Sequence, residues 1–293
     1  MNSKEDNWLV KPVNYKSLLK VGEKSIEKAN LEIEVAKFLL MHFSNKTPHQ
    51  FYMDYETEVD KTVETNFLNA IKDYTVDYIP MQHIMGYQTF YGYDFLVNKD
   101  VLIPRRETEE LVEQVLYYYD DHFKGQTIDV CDIGTGSGCI AITLAKEEPN
   151  MQVSASDISD AALVIARKNN EKLGANVTFY QGDLLKPFEG KLFDIIVSNP
   201  PYIPNSEDVE KIVLTHEPNI ALFGGDTGLI FYERILKEAL KYLKPKGLIA
   251  FEHAFDKSTE IKALVLHYIK HAKITQLKDL SGKDRMTLIE VGE

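Results

Sequence analysis

Val130-Cys131-Asp132-Ile133-Gly134-Thr135-Gly136-Ser137-Gly138 is the stretch that decides the fold. A short apolar run leads directly into three glycines at alternate positions and then into a helical pattern. This is the strand–turn–helix of a nucleotide-binding α/β unit: glycine lets backbone approach a ligand, and the helix start offers free N–H groups. A dinucleotide fingerprint, G-x-G-x-x-G, places its third glycine at the sixth position, which here is Cys139. The third glycine instead falls one residue early, at Gly138.

Outward from this loop, strands and helices alternate. The pattern predicts strands at 127–133, 152–157, 177–182, 193–198, 247–253, 274–280 and 285–291, with helices at 138–147, 159–173, 229–243 and 257–271. Such alternation implies a mainly parallel seven-stranded sheet of Rossmann-like α/β type, covered by helices on both faces. The turn Ser281-Gly282-Lys283-Asp284 is too short for a parallel crossover, so the last strand is expected to run antiparallel to its neighbour.

Residues 1–76 have a different texture, helical spacing without strand alternation. Leu31, Ile33, Val35, Ala36, Phe38, Leu39 and Leu40 are expected to cover the buried side of one helix, broken by Asn45-Lys46-Thr47-Pro48, and Val63, Phe67, Leu68 and Ile71 that of another. Residues 77–107 read as a β-hairpin linker with runs at 87–91, 93–97 and 101–103, its aromatics packing between domains. The expected organisation is a helical substrate-recognition domain (1–76), the linker (77–107) and a catalytic domain (108–293).

Composition narrows the function. The chain has 293 residues, 44% hydrophobic and 27% charged, with a formal net charge of −12. That balance suits a soluble globular protein, and the negative field opposes a phosphate backbone as main partner. Met1 to Val10 carry no basic stretch followed by an apolar run, and no apolar run reaches the ~20 residues of a membrane helix. Two cysteines, Cys131 and Cys139, make neither a disulfide framework nor a zinc site, so a cytoplasmic setting is expected. His267 and His271 lie four apart on a predicted helix without a third ligand, and an exposed helix face is preferred to a metal site. The Tyr117-Tyr118-Tyr119 run reads as the buried end of a helix.

The ends of successive strands define a pocket. Asp132 is placed to neutralise the ammonium of a bound amino acid, and with the early Gly138 it favours S-adenosylmethionine over NAD. Asp157, about 20 positions past the loop, is expected to take both ribose hydroxyls. Asp183 is expected to face the adenine amino group, with Leu184 against the ring.

The strand at 193–198 ends at Asn199-Pro200-Pro201-Tyr202. Consecutive prolines fix φ and have no N–H, so the turn presents two acceptors, the Asn199 side-chain oxygen and the Pro200 carbonyl. A planar amino group has two N–H donors that such a pair can hold at once. Holding them aims the nitrogen and draws its lone pair out of conjugation, and positioning then supplies much of the catalysis of direct methyl displacement. Tyr202 is placed to stack on the flat substrate group. No metal is required.

These residues resemble the HemK/PrmC-type protein-glutamine methyltransferases. The resemblance rests on Leu102-Ile103-Pro104-Arg105-Arg106-Glu107-Thr108-Glu109, on the glycine loop, on Ser198-Asn199-Pro200-Pro201-Tyr202-Ile203, and on Glu217-Pro218 with 221–229. It implies a class I S-adenosylmethionine-dependent methyltransferase sheet and methylation of the glutamine in the Gly-Gly-Gln motif of class 1 peptide chain release factors. It also implies that Gly134 to Gly138, Asp157, Leu184 and Asn199 bind cofactor and that Asn199, Pro200, Pro201 and Tyr202 hold the glutamine. Arg106 stands where the family often has a proline, and Phe251-Glu252-His253-Ala254 replaces a commoner Glu-hydrophobe-Gly ending. Neither departure is expected to touch the acceptor turn. The rival readings are a nucleic-acid amino methyltransferase, a ribosomal-protein glutamine methyltransferase, and an inactive adaptor that binds release factor. A monomer is expected. Arg105 and Glu109 either brace the cofactor pocket or pair with each other.

Overall fold

The computed structural model describes residues 13–292, so the opening stretch read above for a secretory signal lies outside the described residues. Two compact units divide between Met85 and Gly86. In the first, α1 (Tyr15–Lys28), α2 (Val35–Ser44), α3 (Pro48–Met53), α4 (Lys61–Thr75) and α5 (Met81–Met85) follow one another. Their starts are fixed locally. Asn14 and Ser17 form a capping box on α1, Thr47 and Gln50 another on α3, and the Asp60 carboxylate caps α4. Leu18, Ile26, Leu39, Leu40, Phe67 and Ile71 are buried.

Two parts of the expected apolar faces are corrected. α2 begins only at Val35, and its buried set is Val35, Ala36, Leu39 and Leu40, one face at i, i+1, i+4 and i+5. Phe38 and Ile33 lie off that face and are exposed, as is Leu68 of α4. Asn45 takes a left-handed conformation that ends α2, so the expected break is present.

The second unit opens with the hairpin β1 (Tyr87–Phe90) and β2 (Tyr93–Leu96), in which Phe90 pairs with Tyr93. Phe90 and Phe95 meet edge to face at 5.9 Å and are buried in this unit's own core. In the run 101–103 Val101 and Ile103 are buried and Leu102 is half-buried, and it forms no strand. There follow α6 (Arg106–His122), β3 (Ile128–Ile133), α7 (Cys139–Glu147), β4 (Met151–Asp157), α8 (Asp160–Leu173), β5 (Thr178–Gln181) and β6 (Phe193–Ser198). The chain ends with α9 (Lys211–His216), α10 (Asn219–Leu222), α11 (Ile230–Ala239), β7 (Leu243–Glu252), α12 (Ser258–Tyr268), β8 (Lys273–Lys278) and β9 (Asp284–Glu290).

The seven-stranded sheet runs β5-β4-β3-β6-β7-β9-β8. β3 to β7 are mutually parallel, and β9 is antiparallel to both its neighbours. Strand period sorts the core into two layers. Val130, Val153, Ile195, Val197, Leu248 and Ala250 join Leu111 and Val115 of α6, whereas Cys131, Ile133, Ile196, Ile249 and Phe251 join Tyr232, Ile235 and Ile261 on the other face. The chain steps outward from β3 through β4 to β5, then returns to β6 on β3's other side. The carboxyl ends of β3 and β6 therefore lie together at the point where strand order reverses, with Ile133 opposite Ser198. The fold is that of a class I methyltransferase.

α12 ends at Tyr268, so His267 and His271 do not share a helix; both are exposed. Of the tyrosine run only Tyr119 is buried, its hydroxyl donating to the Gln126 carbonyl at 3.0 Å. β7 starts four residues before its expected beginning, at Leu243, and the irregularity opposite Phe193–Ile195 takes in Pro245 and Gly247. Among the described residues, no helix is long and apolar enough to cross a membrane, and no group of three or more His, Cys, Asp or Glu could hold a metal.

Candidate active site

Gly134, Gly136 and Gly138 all have positive φ. A Cβ on Gly134 or Gly136 would meet open space, the side on which a ligand can lie. A Cβ on Gly138 would meet Ile142 Cδ1 at 2.8 Å and Ala166 Cβ at 3.3 Å, so this glycine lets α7 and α8 close over the strand. The Thr135 and Ser137 side chains are buried in the loop.

Asp132 is fully buried beneath it. Its Oδ2 accepts from the Thr135 hydroxyl at 2.6 Å, and its Oδ1 has no hydrogen-bond partner. Burial pushes the carboxyl up to about 7, against the Thr135 hydrogen bond. A buried oxygen with nothing to bind fits an ammonium, which is what the amino-acid end of S-adenosylmethionine offers.

Asp157 ends β4. Its Oδ2 accepts the Gly136 N–H at 2.8 Å and its Oδ1 the Ser159 N–H at 2.9 Å, and burial raises its pKa. Each oxygen retains a lone pair for a hydroxyl donor. Asp183 is engaged more heavily than the sequence indicated. Arg234 donates to both its oxygens, at 2.7 and 2.6 Å, and Lys186 adds a contact at 2.8 Å. Hydrogen bonds from Lys186 and Arg234 hold this carboxyl below its ordinary range. Leu184 has φ of +53°, its carbonyl accepts the Ser156 hydroxyl at 2.9 Å, and its side chain packs against the core on the α11 face.

The turn after β6 stands beside this loop. The Asn199 Nδ2 donates to Thr108 Oγ1 at 3.1 Å. Pro200 is buried, and Pro201 and Tyr202 are half-buried; burial pushes the Tyr202 hydroxyl up to about 12. A cavity of about 280 Å³ opens here, lined by Asn199, Pro200 and Tyr202 with Arg105, Glu207 and Glu210 among its other walls.

Two further stretches support the turn. Ile203 pairs with Phe223, its N–H donating to the Leu222 carbonyl at 3.0 Å. This brings Gly224 and Gly228 against the acceptor turn: a Cβ on Gly224 would lie 2.5 Å from the Pro201 carbonyl oxygen, and one on Gly228 2.3 Å from that of Tyr202. Gly228 also has φ of +75°. Gly228→Ala is expected to lose roughly 1–3 kcal/mol of stability and at least about 10-fold in kcat through displacement of the turn. Thermal melting together with steady-state rates checks this, and unchanged turnover would show that the turn tolerates the displacement.

Arg105 and Glu109 do not pair with each other. Arg105 Nη2 donates to Glu217 Oε1 at 2.6 Å, and the buried Glu217 also takes the Ile103 N–H at 3.0 Å. Glu109 accepts the Tyr91 N–H at 2.9 Å, tying α6 to the hairpin. A second correction concerns Glu252, which was expected to stand clear of the acceptor turn. It is 1% exposed, and burial pushes its carboxyl up to about 7 against hydrogen bonds from Thr108 and Asn199. Sequence reading missed Thr108 and Glu252 because they lie about 90 and 50 residues from Asn199 in the chain.

The parallel sheet, glycine turn and acceptor turn define the class as methyltransferase, and comparison agrees. Residues 116–217 match the methyltransferase small domain and residues 17–86 the PrmC N-terminal domain. The release factor glutamine methyltransferase of Bacillus subtilis is 42% identical over 91% of this chain and 94% of its own. That of Bacillus anthracis is 39% identical over 93% of this chain and 98% of its own. A Pyrococcus furiosus methyltransferase structure shares the fold, with a TM-score of 0.51 at 21% identity over 70% of this chain and 92% of its own. The chain belongs to the release factor glutamine methyltransferase family.

Proposed function

We propose that this enzyme methylates the side-chain amide nitrogen of the glutamine in the Gly-Gly-Gln motif of class 1 peptide chain release factors, using S-adenosylmethionine. The single observation that carries the reading is the tethered Asn199. Its Nδ2 is engaged by Thr108, so its oxygen is left as an acceptor for one amide N–H. The Pro200 carbonyl takes the other, and Pro201 and Tyr202 wall the planar group. Bound S-adenosylmethionine supplies a methyl group on an electrophilic sulfonium. In this proposal Gly134 to Gly138 approach it, Asp132 faces its ammonium, Asp157 takes the ribose hydroxyls, and Asp183 and Leu184 border the adenine. Asn199 serves both ligands.

Carboxylates among the cavity walls, Glu207, Asp208 and Glu210, oppose a phosphate backbone and weigh against a nucleic-acid substrate. In the same proposal residues 1–76 recognise the release factor, 77–107 connects, and 108–293 carries the chemistry, in a cytoplasmic monomer. The test is transfer of labelled methyl to purified release factor and to the same factor with the Gly-Gly-Gln glutamine replaced. Label is expected on the first alone. Equal label on both would overturn the assignment.

A further inference from the structure

Among the buried side chains outside the expected site, one chain of polar contacts ends on the acceptor turn. Thr108 lies in the first turn of α6 and is 3% exposed. Glu252 ends β7, is 1% exposed, and has an Oε2 with no partner. β7 runs beside β6 with Phe251 opposite Ser198, so the strand pairing itself sets Glu252 next to Asn199. Arg105, immediately ahead of α6, is anchored on Glu217 and fixes where that first turn begins.

An asparagine amide can be turned over in place, exchanging donor for acceptor with almost no change of shape. Only the neighbours decide which way it stands. Once ionised, which burial defers to about pH 7, the Glu252 carboxylate accepts and cannot donate, whereas a threonine hydroxyl has one hydrogen and two lone pairs. Thr108 Oγ1 accepts from Asn199 Nδ2 at 3.1 Å, which leaves the Thr108 hydrogen for the neighbouring Glu252 carboxyl, whose pKa Thr108 and Asn199 both hold down. Asn199 also donates towards Glu252. Every contact on that side of the amide therefore selects nitrogen.

We infer that Thr108, oriented by Glu252, is a positioning residue that locks the Asn199 amide with its oxygen towards the substrate nitrogen. The inference rests on the proposal that Asn199 accepts from the substrate amide. Without Thr108 the amide loses its fixed sense and stands part of the time with its N–H₂ towards the substrate, where two donors face each other. Turnover suffers, while the glycine loop and the acidic residues that hold cofactor are untouched.

The test uses the full chain, purified release factor and labelled S-adenosylmethionine, with Thr108→Val, Thr108→Ser and Asn199→Ala in parallel. Thr108→Val keeps the shape and removes the hydroxyl. It is expected to lower kcat on the order of 10- to 100-fold, with cofactor Kd and the KM for release factor each within about 3-fold of the parent. Thr108→Ser restores the hydroxyl and is expected to recover kcat to within about 3-fold. A Thr108→Val enzyme with parental kcat, or a serine variant as impaired as the valine, overturns the inference, since packing alone would then account for Thr108. If the valine variant does not melt cooperatively, Thr108→Ala is read by the same criteria. Parental turnover in Asn199→Ala is a distinct result that removes the acceptor reading itself. Loss in Asn199→Ala with none in Thr108→Val removes only the positioning role.

Discussion

Asn199→Ala is expected to lower kcat on the order of 100- to 1000-fold, the size of effect seen when one preorganised polar contact to a reacting group is removed. An amide nitrogen is a poor nucleophile because its lone pair is delocalised into the carbonyl. Two acceptors that take both N–H groups fix the nitrogen's direction and draw the lone pair back towards it, and this matters most in the transition state. Alanine removes one acceptor and leaves Pro200 to hold the group by one contact, free to rotate. Cofactor binding is expected to weaken by less than about 10-fold, because the glycine loop, Asp132 and Asp157 remain. Single-turnover rates with calorimetric cofactor titration separate the two effects. Parental activity would remove the acceptor-turn mechanism; equal loss in rate and in cofactor affinity would make Asn199 chiefly a cofactor ligand.

What was legible in the sequence was whatever the chain writes locally. The glycine loop, the alternating strands and the prolines after β6 depend on neighbours within a few residues, and the structure has each of them, with β7 beginning four residues early. The antiparallel last strand was legible for the same reason, since a four-residue turn permits nothing else. Partners distant in the chain were not. Glu217 meets Arg105 across 112 residues and Thr108 meets Asn199 across 91, and neither spacing has a period to detect. Residues 221–229 stood out as a motif, yet their use as a backing for the Pro201 and Tyr202 carbonyls appears only when the Ile203–Phe223 bridge is formed. Asp183 teaches a related lesson. A carboxylate at the end of a strand advertises a ligand contact, but nothing local announces that Arg234, on a helix 51 residues away, also holds it.

The second large effect is expected at Asp132 and depends on pH. Its carboxyl is fully buried, has one oxygen without a partner, and is pushed by burial to about 7. An exposed aspartate titrates near ~3.9. Between those values the free folded protein keeps a proton that the unfolded chain has released, so stability falls as pH rises through the window, by up to about 1.4 kcal/mol per unit. Above about 7 the folded state carries an unpaired buried charge, and a bound ammonium is what relieves it. Cofactor affinity is therefore expected to climb as pH rises to about 7, by up to roughly 10-fold per unit, and to fall again above ~8 as the α-amino group deprotonates. Asp132→Asn removes the charge. It is expected to cost on the order of 100-fold in affinity near neutrality and to abolish the acid limb, while the free protein becomes less sensitive to pH. Glu252, also raised to about 7, contributes a stability slope of the same sign in both proteins, so the difference between parent and variant isolates Asp132. Titration calorimetry and melting curves from pH 5.5 to 8.5 give both readouts. An acid limb that survives in Asp132→Asn would assign the ammonium to another group, with Asp157 the nearest charged candidate, since its carboxylate already raises the Asp132 pKa.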